Sequence, residues 1–590
     1  MSAPPPSVRN ARWGLWLPVG VAAVVYGVFI ARSAFVVGST TYFSLCDDAM
    51  ISMTYGRTLA EGHGLVWFAG AAPVEGYTNF FWTLWMAVLH LLPVAEPKVA
   101  LLVMLSGATI LGANLFLVHA ITRRVFADLP FAAPLAVWLT ALYYPLVYWT
   151  LRGMEVGLVA LLISGATLLA LRLSDQVPDS EGRGGHDLLI FAGVMAVGVL
   201  TRTDAVIPLG IAAAFALWQS THRRAMTAVA GLGVLAATLG GHTIFRLAYY
   251  GDALPNTYHL KLGGVSLVER IERGVVSLGW VGAMHLWAAI ALTVALFLLR
   301  RRFDARLWLL AALFAAQAVY SLYVGGDAWE WMAYANRYLA TGGPVLLILA
   351  AGGAVAVGRA TDVERRRVAA LLAVPGLGVA FVALNQDVLP LGLLQAEAQP
   401  AQWAVLGALL VPVAIAVAGV SRTVSGAVAL VLAAVVLVGV NGEPMAEWAR
   451  TGGINVADDA RMTRLALTLR QTTEPTATTA VVWAGALPYF SHRPAIDLLG
   501  KSDPYIARLD PLDRPMQPGH MKWDYEYSVN QLRPDVVAQV FSPQAGTLGQ
   551  IRQWGYTEVA HRVLVRNGST LVDADALRMA LDGDPHARRR

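Results

Sequence analysis

One cysteine, Cys46, occurs in 590 residues, so an intrachain disulfide framework is excluded. Charge is also scarce. Only 14% of the chain is Asp, Glu, Lys or Arg, against roughly 25% in a soluble domain. Mean hydropathy is +0.55, and 56% of residues are hydrophobic. Together these exclude a large soluble enzyme and leave a polytopic membrane protein. A CxxC pair, a Walker A loop and an H-E-x-x-H helix are all missing, so nothing argues for a zinc site or nucleotide hydrolysis. No internal repeat of about 20–50 residues is present. The net charge is +5, but the basic residues cluster between apolar runs. The positive-inside rule accounts for that pattern better than nucleic acid does. Membrane lipid is the expected partner and nucleic acid is not.

Apolar runs recur from about residue 13 to 440. They are placed near 13–31, 98–121, 131–149, 153–171, 188–201, 205–218, 225–245, 281–299, 307–323, 343–358, 368–384, 403–420 and 424–440. Some fall short of the roughly 20 residues a straight span needs, so the count is about 11 to 14. No small-residue cleavage site follows the first run, which reads as an uncleaved signal anchor with a cytoplasmic N-terminus. Arg123 and Arg124, Arg172 and Arg183, Arg223 and Arg224, Arg300 to Arg302, Arg359 with Arg365 to Arg367, and Arg422 then all fall inside. The loops holding Asp47, Glu155, Asp204, 246–280 and 324–342 fall outside. Residues 80–95 would invert this order if they crossed, and are expected to form an interfacial or re-entrant helix.

Beyond about 440 the chain turns polar, with β-rich runs at 480–483 and 535–541 and an amphipathic helix at about 458–471. The expected architecture is an α-helical polytopic membrane protein with a C-terminal soluble α/β domain. The membrane domain covers 1–440, with a first outer loop at 36–79. The α/β domain covers 441–590 and lies outside, at the cell membrane's outer face.

Asp47 and Asp48 sit just beyond the first apolar run, near the start of the long first loop. Adjacent carboxylates are costly near a bilayer and point to chemistry at its surface. Either is able to take a proton from an acceptor alcohol, and the pair is able to hold a divalent cation. A solvated acidic pair at a loop start is the plainer alternative. A short surface helix, a Gly-rich EGHG turn and Glu75 come next. Other outward loops carry Arg152 and Glu155, Arg202 and Asp204, and then Asp252, Asn256, His259 and Lys261. Lys261 suits a phosphate as a point charge, and equally suits an interface anchor. The segment GGDAWEWMAYANRY combines Asp327, Glu330 and Arg337 with Trp329, Trp331, Tyr334 and Tyr338, aromatics that belong at an interface or against a sugar ring. In the tail, 485–507 and 518–525 are dense in His, Asp and Lys, among them Asp497, His520 and Lys522.

The string D-D-A-x-I-S, then G-x-G-L-V-x, then V-E-G-Y-T-N resembles the GT-C membrane glycosyltransferases. GMEVG, TRTD, YYGDALPNTYHLK, GGD and AIDLLGKSDPYIA look like further landmarks, and the resemblance runs from about 40 to 530. The terminal β-(1→2)-arabinofuranosyltransferases of actinobacterial cell walls are the relatives it suggests, with pilin pentosyltransferases similar too. The resemblance implies a decaprenyl-phosphate sugar donor such as decaprenyl-phospho-arabinose, an inverting single displacement, and a cell-envelope glycan acceptor such as arabinogalactan or lipoarabinomannan. It makes Asp47 or Asp48 the base, with the first of the pair favoured. Arg202, Lys261, Asp327 and Arg337 become candidates for donor phosphate or acceptor contacts. Glu75, Tyr77, Asn79, Glu155, Asp204, Asn256, His259, Asp497, His520 and Lys522 complete the candidate binding set. The middle loop departs from the shorter GGD-x-M-P-G-x-R-F-like pattern of the family.

A mannosyl- or other pentosyltransferase shares these features. A lipid-linked sugar flippase is the rival of another class, but it would show half-to-half similarity or ionisable groups at the midplane. The acids here sit at loop edges. A non-catalytic assembly factor is the third reading.

Overall fold

The computed structural model describes residues 8–175, 181–220, 223–300, 304–394, 405, 408–409, 411–413, 441–542 and 546–583. Among these, nine helices are long and apolar enough to cross a membrane. Val156–Ser174 has 19 residues, about 28 Å at 1.5 Å per residue, close to the roughly 30 Å of a hydrocarbon core. Most of the apolar runs correspond to these helices. The run at 131–149 does not form one span. It folds as Ala132–Ala141 and Tyr144–Leu151, both buried and each too short to cross. Pro145 sits in the first turn of the second helix, where its missing N–H costs nothing. Residues 80–95 form the eleven-residue helix Phe80–His90. The segment 246–280, expected as a loop, is helical at both ends. Arg224–Tyr250 runs on to residue 250, and Leu267–Leu299 begins at a Ser266 cap on the Glu269 N–H. The run at 424–440, and all but a few positions of 403–420, lie outside the described residues.

Arg337–Arg359 is the central helix, with 94% of its apolar window buried. Small residues permit that burial. A Cβ on Gly353 would meet the Leu292 carbonyl, and one on Gly352 the Phe126 ring. Arg224–Tyr250 is peripheral and buries only 22% of its window. It exposes Met226, Val229, Ile244 and Leu247, an apolar face suited to lipid.

The bundle has two chemically different ends. At one, Asp175 accepts from Arg124 and Arg306 at 2.7 Å each, and Asp128 accepts from Arg300 at 2.6 Å. Arg359 reaches the Asp128 carbonyl. At the other lie Glu155 and Arg337, each one helix length away from Asp175 and Arg359 respectively.

The C-terminal region centres on helix Val456–Thr472 and a five-stranded sheet. In spatial order the strands are Ala495–Asp497, Thr479–Val481, Val536–Val537, Val563–Arg566 and Tyr556–Ala560. The first three are parallel and the last two pairings antiparallel. This region is seated on the first loop. Trp67 donates to the Ala484 carbonyl at 3.0 Å, Arg57 donates to the Tyr489 carbonyl, and Arg152 pairs with Asp459, both fully buried.

Residues 325–336 are held in place by Arg273, which donates to the carbonyls of Gly325 and Asp327 and pairs with Glu330 at 3.4 Å. Arg273→Met strands the Glu330 charge in a buried setting. Breaking a buried pair this way costs about 3–5 kcal/mol. A lowered thermal unfolding midpoint in detergent is the expected result.

Candidate functional site

Helix Asp47–Ala60 begins on the acidic pair, where the positive end of the helix dipole favours carboxylates. The two acids diverge. Asp47 Oδ1 accepts from the backbone N–H groups of Gly485 (3.1 Å) and Ala486 (3.0 Å), while Oδ2 stands 4.0 Å from Lys501 Nζ. Burial pushes Asp47 up to about 6, although Lys501 and those N–H groups pull it down. Asp48 gives Oδ1 to Lys501 Nζ at 2.7 Å and Oδ2 to Arg337 Nη1 at 2.8 Å. Burial opposes its ionisation, but Lys501, Arg337 and Lys261 outweigh this and hold it well below the usual carboxylate range.

Asp48 lines a cavity of about 320 Å³ whose charged walls are mostly basic. Arg202, Arg246, Lys261, Arg337 and Lys501 face it, against Asp48 and Asp204. Tyr77, Asn79 and His520 line it as well. The basic side chains differ in one respect. Arg337 is locked by a bidentate pair with Asp327 (2.8 and 2.7 Å) beyond its bond to Asp48. Arg202 is locked by Glu155 and by both Asp204 oxygens, all at 2.8 Å. Arg246 is locked by Glu75 at 2.8 and 3.0 Å. The Lys261 side chain makes no hydrogen bond or ion pair among the described residues. Burial, with Arg337 beside it, brings its ammonium down to about 8, against the pull of Asp48 and Asp327.

The remaining candidates stand behind these walls. Glu155 joins Arg202 to Asn79, whose amide donates to it at 2.8 Å. Asn79 accepts in turn from Ser52 and Thr83. Asp497 gathers the N–H groups of Leu499, Gly500 and Ser502 at 2.7–3.1 Å and so shapes the loop that presents Lys501. Asn256 donates to the carbonyls of Gly500, Lys501 and Asp503 at 2.9–3.2 Å. His259 pairs with Asp252 at 2.9 Å, and Lys522 donates to the carbonyls of His259 and Ala507. Neither His259 nor Lys522 lines the cavity. Asn256→Ala leaves buried carbonyls without a donor, at about 1–3 kcal/mol. The expected result is a lower unfolding midpoint together with weaker activity, because the Lys501 loop loses its anchor.

Asp47 lines a second cavity of about 420 Å³, shared with Asp48, Lys501, His520 and Trp329. His520 packs edge-on against Trp329 at 5.6 Å, and burial lowers it to about 4, so its ring is neutral near pH 7. The pair fits a divalent cation poorly, since both Asp48 oxygens serve cationic side chains. Among the described residues no group of three or more His, Cys, Asp or Glu is placed to hold a metal.

Sequence reasoning missed Lys501 and Arg246. Lys501 is an isolated cation in a loop flanked by Asp497, Asp503 and apolar residues, which was a usable signal. Arg246 directly follows the apolar run 225–245, in the helix that continues to Tyr250, and such a charge needs a partner. That partner is Glu75.

Residues 453–575 match a family model described as a domain of unknown function, DUF8728. No curated protein matches the chain. Among solved structures, ArnT from Cupriavidus metallidurans bound to undecaprenyl phosphate is similar, with TM-score 0.54 and 17% identity over 94% of this chain and 98% of that one. The archaeal oligosaccharyltransferase AglB from Archaeoglobus fulgidus, in complex with an inhibitory peptide and a dolichol-phosphate, gives TM-score 0.45 and 12% identity over 83% of this chain and 65% of that one. The chain shares the fold of that ArnT structure, a helical bundle with membrane-length apolar helices and a C-terminal region built on a small sheet.

Proposed function

We propose that this chain is an inverting membrane glycosyltransferase. It moves a sugar from a polyprenyl phosphate to a hydroxyl of a cell-envelope glycan. The observation that carries this is Lys261, an ammonium with no hydrogen-bond or ion-pair partner among the described residues, in a basic cavity beside Asp48. A phosphate is the ligand such a cavity suits, since a cation held ready meets the charge that develops on the leaving group. The similar ArnT structure holds undecaprenyl phosphate, which agrees with a lipid-phosphate donor. The acceptor oxygen attacks the anomeric carbon, and the bond from that carbon to the phosphate oxygen breaks. Polyprenyl phosphate departs, and the hydroxyl proton passes to Asp47. Asp47 is the better base of the two because Asp48 is saturated by Lys501 and Arg337.

Arabinofuranose is the sugar, on the resemblance of the motif string. The site lies on the outer face with residues 441–590, because the opposite end of the bundle gathers Arg124, Arg300, Arg306 and Arg359. Purified protein supplied with synthetic decaprenyl-phospho-arabinofuranose or decaprenyl-phospho-mannose tests both parts. Transfer of arabinose is expected. Transfer of mannose alone overturns the sugar, and transfer of neither overturns the reaction.

A further inference from the structure

We propose that the second cavity seats the acceptor as an uncharged, hydroxyl-rich saccharide, packed on Trp329 and Trp483 and hydrogen-bonded by Asp459. This rests on the glycosyltransferase reading and extends it to the acceptor's chemistry.

The two cavities share a wall and differ in charge. The first presents five basic side chains against two acidic ones. The second presents Asp47, Asp48, Asp458 and Asp459 against Lys501 alone. The counter-cations of two of these acids, Arg152 and Arg461, are bonded to them without lining the cavity. A phosphorylated or carboxylated acceptor would therefore enter against carboxylates. A neutral one meets no such opposition.

The remaining lining is what a sugar uses. Trp329, Trp331, Trp483 and Phe541 supply flat apolar faces, against which the C–H face of a sugar ring packs. Polar groups there have bonding capacity left. Asp459 is 1% exposed and accepts from Arg152 through one oxygen, while its Oδ1 has no hydrogen-bond partner among the described residues. A buried acceptor atom left unpaired is costly, and a ligand hydroxyl would satisfy it. Among the described residues the Asn455 amide donates only to the Met332 sulfur, at 3.7 Å. The cavity's volume of about 420 Å³ lies within the roughly 300–1,000 Å³ of small-molecule sites. Asp47 lines this cavity and not the first, so a hydroxyl seated here meets the proposed base while the phosphate stays across the Asp48–Lys501 pair. Asp459, Asn455 and Trp483 all belong to the C-terminal region, which gives that region a part in choosing the acceptor.

The test is a fluorescence titration of the full chain in detergent. The probes are short neutral arabino- and manno-oligosaccharides and the same compounds carrying one phosphate ester. Saturable quenching by a neutral probe is expected, with the phosphorylated form about tenfold weaker or more. Trp483→Ala should weaken neutral-probe binding by about tenfold or more while leaving decaprenyl phosphate binding unchanged. If that variant does not fold, Gln517→Ala, at another residue lining this cavity, carries the same comparison. Equal binding of both probe types, binding undiminished in the variant, or no saccharide binding at all overturns the proposal. Saccharide binding without sugar transfer would sink the transferase reading and leave the cavity's ligand class standing.

Discussion

Lys261→Met is expected to lower kcat/KM for a polyprenyl-phosphate sugar by about 10²–10³-fold, the usual cost of removing one preorganised donor from a developing charge. The neighbouring arginines are unable to compensate, because Asp327, Glu155, Asp204 and Glu75 already hold them. The same residue sets a pH dependence. Burial lowers the free ammonium to about 8. It is charged below that value and loses its proton above it, so donor binding by the wild type weakens as pH rises through about 8. Lys261→Arg keeps the charge and should flatten this limb while restoring part of the activity. A methionine variant within about threefold of wild type would remove Lys261 from the donor site.

Asp47→Asn should reduce transfer by about 10²–10⁴-fold, the range of a lost general base. Donor affinity should hold, since Asp47 does not line the basic cavity. The wild-type rate should climb as pH rises through about 6, where Asp47 gives up its proton and becomes able to accept one. Asp48→Asn is expected to behave differently. It releases Lys501 and Arg337 from their shared carboxylate, so donor affinity changes together with rate. Normal turnover by both variants would mean that neither first-loop acid is the base.

Much of this was legible in the residues. Long apolar runs mark the spans because a lipid-facing helix has little choice of composition. The acidic pair, Arg202, Asp204, Lys261 and Arg337 stood out as charges beside such runs, and all reach the two cavities. What stayed hidden depends on distance in sequence. Lys501 lies 453 positions from the Asp48 oxygen it bonds, and periodicity carries no information on that scale. The division of labour between Asp47 and Asp48 was equally invisible, because it comes from which one the Gly485–Ala486 backbone occupies. His259 and Lys522 have chemistry that suits a site, but neither lines the basic cavity. Their partners, Asp252 and two backbone carbonyls, only the folded chain brings to them.

The bond between Lys501 and Asp48 also has a bearing on biosynthesis. A ribosome must thread nearly the whole bundle into the bilayer before the lysine that bonds Asp48 emerges. Until then Asp48 has Arg337 but not Lys501, and Asp47 lacks the Gly485 and Ala486 N–H groups that hold it in the finished chain.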